Sequence, residues 1–113
     1  MQQRDWFMRA LEQIVLAIGR VTGLVRQGKL DEARAELEHA YSGQIGMPLA
    51  MLNRLEASSV VAMLGHERAT LLLDLLRAEV ALHEASGDED AAKRLKLRIL
   101  TLESLATARR ASA

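Results

Sequence analysis

Apolar residues recur at steps of three and four along most of the chain. Phe7, Leu11, Ile14, Ile18, Val21 and Val25 form one unbroken stripe, with Ala10, Ala17 and Leu24 in a second line beside it. Arg9, Gln13, Arg20 and Gln27 hold a narrow opposite strip. This period predicts a helix capped by Asp5 and running to about Arg26, apolar enough to be central with neighbours on two sides. Leu30, Ala33, Leu37 and Ala40 share the face of a second helix that stops at Ser42-Gly43, with Glu32, Arg34 and Glu38 solvated. Pro48 suits the first position of a short third helix carrying Leu49, Leu52 and Leu55. Ser58 or Ser59 caps a very short fourth, Val60 to Leu64, closed by Gly65. Leu71, Leu72, Leu73, Leu75, Leu76, Val80 and Leu82 cover most of the circumference of a fifth helix from Glu67 to Ala85, whose polar side is Asp74, Arg77 and Glu84. Ala92, Leu95, Ile99, Leu102 and Ala106 mark a sixth, which frays at Arg109-Arg110-Ala111-Ser112-Ala113.

Two glycines punctuate this pattern. Gly28 and Gly87 each follow one long helix and precede another, where a left-handed residue ends the first helix. Asp31 and Glu32 after the first, and Asp88, Glu89 and Asp90 after the second, fall where acidic side chains complement a helix N-terminus. A glycine turn followed by Ala33, Leu37 and Ala40 resembles the second half of a tetratricopeptide repeat. The resemblance implies an all-α fold: a compact tetratricopeptide-like array of antiparallel helical hairpins, about six helices, two of them short. The helical domain is residues 1–108, made of a hairpin at 5–43, a short-helix insert at 44–65 and a hairpin at 66–108; residues 109–113 form a frayed tail. The two glycine turns stand 59 positions apart, against a repeat period of roughly 34 residues. Two repeats are fewer than the roughly three that bury a continuous core, so the insert or a second copy of the chain must cover the rest.

Gln3-Arg4-Asp5-Trp6-Phe7 at the start, then Glu12-Gln13-Ile14, resembles the opening of a family of small bacterial helical proteins. That family has a Gln-Arg-Asp-aromatic beginning, a glycine-turn helix, a shorter middle segment and a final hairpin. The resemblance implies a fold and supplies no activity or binding residue.

Composition narrows the function. Formal net charge is zero, which argues against a dedicated nucleic-acid or acidic-membrane binder. The chain has no cysteine, hence no disulfide and no thiolate metal site, which fits a reducing cytoplasm. Ile14-Val15-Leu16-Ala17-Ile18 is too short, and flanked too closely by Glu12 and Arg20, to be a leader or a membrane span.

Candidate chemistry is thin. Gly23-Leu24-Val25-Arg26-Gln27-Gly28-Lys29-Leu30 nearly spells a phosphate-binding loop, but Leu30 stands where a hydroxyl must hold magnesium, and no strand precedes it. Glu36-x-x-His39 has the spacing of carboxylate di-metal bundles; Glu79 and His83 could add ligands, making a metal- or ligand-binding bundle the alternative function. No catalytic constellation emerges, so the sequence argues against an enzyme, and no cofactor is expected. Lys93, Arg94, Lys96 and Arg98 spread around their helix as a solvated face, with Lys93 placed to pair with Glu89 and Lys96 with a neighbouring helix. Gly19 and Gly23, one turn apart, each weaken a helix by about 1 kcal/mol relative to Ala, which close approach of another helix would offset. The leucine-dense fifth helix is the largest surplus. The leading expectation is a non-catalytic interaction or self-association module, a homodimer or a binder of another protein, with no nucleic acid or membrane. Its interface candidates are Trp6, Phe7, Leu72, Leu73, Leu76 and Val80.

Overall fold

The computed structural model describes the backbone of residues 2–112 and the side chains of residues 4–108. Among these it holds five α-helices, one π-helical turn and no strand. The helices are α1 (Gln2–Arg26), α2 (Leu30–Ala40), α3 (Leu49–Leu52), α4 (Ala57–Ala85) and α5 (Glu89–Ser112), with the π turn Tyr41–Ile45 between α2 and α3. Two antiparallel hairpins, α1/α2 and α4/α5, pack through α4, which meets α1, α2, the π turn and α5.

Both hairpins close with the same hydrogen-bonded turn. The Gly28 N–H donates to Val25 O at 3.0 Å and Lys29 N–H to Leu24 O at 2.9 Å. At the second turn Gly87 N–H donates to Glu84 O at 3.1 Å and Asp88 N–H to His83 O at 2.9 Å. Gly28 (φ 75°) and Gly87 (φ 79°) are both left-handed, as the pairing of these carbonyls requires. Asp88 Oδ1 then accepts from Ala91 N–H at 3.1 Å and caps α5.

Several boundaries differ from expectation. α1 starts at Gln2, so Asp5 sits in its first turn and is not the cap. α2 does not stop at Ser42-Gly43: the backbone widens into the π turn, whose Gly46 N–H reaches Tyr41 O at 2.9 Å, and ends at left-handed Gly46 (φ 89°). Widening keeps Tyr41 and Ile45 both buried. Pro48 is the residue before α3, extended at ψ 152°. α4 is two helical segments meeting at non-helical Gly65 (φ 79°, ψ 173°), so the expected break is present, and only the start differs, at Ala57 instead of Val60. Glu56 precedes it without a side-chain cap, so neither Ser58 nor Ser59 has that role. α5 continues through Ser112, so the expected frayed tail is helical up to that residue; Ala113 lies outside the described residues.

The most deeply buried helix is α4, not α1. Leu71 and Leu75 are fully enclosed, and Leu72, Leu73, Leu76, Val80 and Leu82 nearly so. α1 buries only its inner edge, Ala10, Ile14, Ala17 and Val21, with Phe7, Leu11, Ile18, Leu24 and Val25 partly covered. Arg20 Nε reaches Glu36 Oε2 at 3.0 Å across the first hairpin. Arg77 joins Asp74 to Glu103 across the second, at 3.2 and 2.6 Å.

Candidate functional site

Glu79 is the only charged residue among the described residues that is fully buried. It projects from α4 amid Leu75, Leu76, Val80 and Leu82, where an isolated carboxylate would be strongly disfavoured. Three side chains make it tolerable. Tyr41, placed by the π turn, donates its hydroxyl to Glu79 Oε1 at 3.1 Å. The Arg34 guanidinium from α2 ion-pairs with Oε2, and His83 Nε2, one turn along α4, lies 3.3 Å from the same oxygen. Oε2 is thus held by charge, without a well-aligned hydrogen bond. Burial, and then the Glu79 charge, push the Tyr41 hydroxyl pKa upward, so it stays protonated as a donor. Burial acts to lower the Arg34 pKa, but the close ion pair with Glu79 outweighs it, and the net direction is upward.

Glu79 and His83 form part of the wall of a cleft of about 440 Å³ between α3, α4 and α5. Arg94 and Arg98 stand on its other wall. Arg98 Nη2 donates to Leu52 O at 2.7 Å and Leu55 O at 2.8 Å, tying α5 to the end of α3. These carbonyls lie where a short helix runs out of intrahelical donors.

The structure separates the four residues singled out as metal-ligand candidates. Glu36 and His39 line a groove between α1 and α2, with Glu36 paired to Arg20. Glu79 and His83 line the other cleft. Among the described residues no three His, Cys, Asp or Glu side chains converge as a metal site would need. The basic run is dispersed as its spacing implied. Lys96 reaches Glu84 on α4 at 3.1 Å and Arg98 is engaged with α3, while Lys93 makes no pair with Glu89 among the described residues. The side chains of Arg109 and Arg110 lie outside the described residues, as does that of Gln3. The phosphate-loop look-alike is the end of α1 and its closing turn.

The predicted interface shifts. Leu72, Leu73, Leu76 and Val80 are 2%, 5%, 3% and 7% exposed and offer nothing to a partner, because α5 and the first hairpin enclose α4. Trp6 and Phe7 are half-buried against the core, and the Arg68 guanidinium lies over the Trp6 ring at 5.0 Å. Exposed apolar residues instead include a row on the outer side of α1, where Met8, Val15 and Leu16 are 46%, 59% and 55% exposed, besides Leu97 and Leu100 on α5 and the separate Met51 and Met63. Gly19 and Gly23 continue that row, and a methyl group on either would meet no atom within 4 Å. Among the described residues no helix therefore approaches them closely, contrary to the packing role the sequence suggested.

Sequence reasoning missed the Glu79 cluster and this outer row. The first had a signal: at helical spacing Glu79 shares a face with Leu72, Leu75, Leu76 and Leu82. Arg34, which its spacing places among the solvated residues, is the carboxylate's main partner. The second was hidden because Val15 and Leu16 read as part of a helix apolar all round. Among the described residues no helix is long and apolar enough to cross a membrane. In comparisons with family models, curated proteins and solved structures, the chain matches none of them.

Proposed function

We propose that this chain is a non-catalytic helical docking module that offers the outer face of α1 to another helix. The observation that carries the reading is the row Met8, Val15 and Leu16, exposed although large and apolar, on a helix whose opposite edge is already buried. A surface of this kind, continued by two glycines with open space above them, suits an amphipathic helix laid along it. The repeated glycine turn supports a tetratricopeptide-like arrangement, a hairpin scaffold suited to holding a partner helix. The buried carboxylate is already neutralised by Arg34, which favours a structural role over a catalytic one.

Selection of helical peptides from a displayed library tests the reading. Binders should be lost on a Leu16→Glu variant and retained on Leu97→Glu, which alters a more exposed leucine on α5. Binders indifferent to Leu16→Glu would overturn it.

A further inference from the structure

We infer that the helix received by this face is α1 of a second copy, in antiparallel orientation. This rests on the docking reading above and names its partner. The outer face runs Asp5, Met8, Glu12, Val15, Leu16, Gly19, Gly23 and Arg26 at helical steps, and every one but the half-covered Gly23 is exposed. Its acidic groups lie in the N-terminal half and its basic group at the C-terminal end. Asp5, Glu12 and Arg26 make no ion pair among the described residues, so their charges are available.

Two such faces fit in one antiparallel register, centred between Val15 and Leu16. Asp5 then faces Arg26 of the second copy, Val15 faces Leu16, and Met8 faces Gly23. The bulky side chain lands where the surface is lowest, because Gly23 opens on the groove of about 620 Å³ between α1 and α2. Glu12 faces Gly19 and lies next to Arg20. The flanking Arg4 and Arg9 face Gln27 and Thr22, so no like charges face one another directly, although Arg4 comes one position from Arg26. A parallel pairing would instead set Asp5 on Asp5, Glu12 on Glu12 and Arg26 on Arg26. Shape and charge thus favour the same register.

A single helix pair is a small interface, so the expected dissociation constant is on the order of 10 µM. Sedimentation equilibrium of the whole chain should show a monomer–dimer equilibrium in that range. Leu16→Glu should weaken it by about tenfold or more, with unchanged circular dichroism because the residue is exposed. The chain has no cysteine, which makes orientation directly readable. Asp5→Cys mixed with Arg26→Cys should give the mixed disulfide on mild oxidation, and neither variant alone should cross-link to itself. Self-cross-linking of Asp5→Cys, or a strict monomer at millimolar concentration, would overturn the inference. A monomer that still selects Leu16-dependent peptides would sink the self-pairing alone and leave the docking reading standing.

Discussion

Arg34→Met is expected to be among the most damaging single changes, although Arg34 lies on a short helix and is partly exposed. Removing the guanidinium leaves the Glu79 carboxylate enclosed, with only the Tyr41 hydroxyl and the nearby His83 ring to meet it. Stranding one partner of a buried pair costs about 3–5 kcal/mol. The Arg34 side chain is 32% exposed and Glu79 forms part of a cleft wall, so water relieves part of this and the lower end, about 3 kcal/mol, applies. With a urea slope of about 1.3 kcal/mol per molar, the unfolding midpoint should fall by about 2 M at unchanged slope. Glu79→Met in the Arg34→Met background removes the stranded charge and should restore stability to within about 1 kcal/mol of the parent. The double-mutant cycle should then show a coupling of about 2 kcal/mol or more. Additive single changes, or a loss below about 1 kcal/mol for Arg34→Met, would refute the account of Glu79 as a carboxylate dependent on Arg34.

Three further outcomes follow from the same geometry. The raised Tyr41 pKa means that the folded chain keeps a proton which the unfolded chain loses above pH 10. This stabilisation is present below that pH and is lost as pH rises, so stability should drop by about 1 kcal/mol from pH 10 to 11 more in the parent than in Tyr41→Phe, read by urea titration at each pH. Gly65→Ala should destabilise by about 1–3 kcal/mol in thermal or urea unfolding, since φ 79°, ψ 173° is open only to glycine, even though a methyl group there meets no neighbour. Arg98→Ala should speed hydrogen exchange in 49–56, because Leu52 O and Leu55 O lose the Arg98 donor, and cost about 1.5–3 kcal/mol for the charged hydrogen bonds; unchanged exchange there would deny α5 this hold on α3.

The parts of the fold legible in the sequence are those set by local chemistry. Gly28 and Gly87 announce their turns because a left-handed residue must end each first helix, and both do so with matching bonds. The apolar face of α2 is likewise written in its spacing, and Ala33, Leu37 and Ala40 are all buried. What spacing cannot reveal is which helix lies over which. α1 and α4 both read as apolar nearly all round, yet α4 became the covered one because α5 returns over it, and α1 kept an open side. The interface prediction failed at Leu72, Leu73, Leu76 and Val80 for that reason. The π turn was invisible too, since the backbone widens only to keep both Tyr41 and Ile45 in the core, a demand made by tertiary packing.

The Glu79 cluster bears on how that packing chooses one register. Along α2 small and large apolar residues alternate at steps of three and four, so a one-turn slide of about 5.4 Å against α4 would still place apolar groups on apolar groups. Such a slide would carry Arg34 and Tyr41 away from Glu79 and strand the carboxylate, at the penalty already reckoned for Arg34→Met. A leucine at position 79 would impose no such penalty. Burying a charge with partners on α2, on the π turn and on α4 itself therefore discriminates among packings that greasy contacts alone leave nearly equal. Fixing α2 also fixes α1, its hairpin partner through the Gly28 turn and the Arg20–Glu36 pair. The buried carboxylate thus determines how the first hairpin sits on α4, and with it where the exposed row from Met8 to Gly23 is presented.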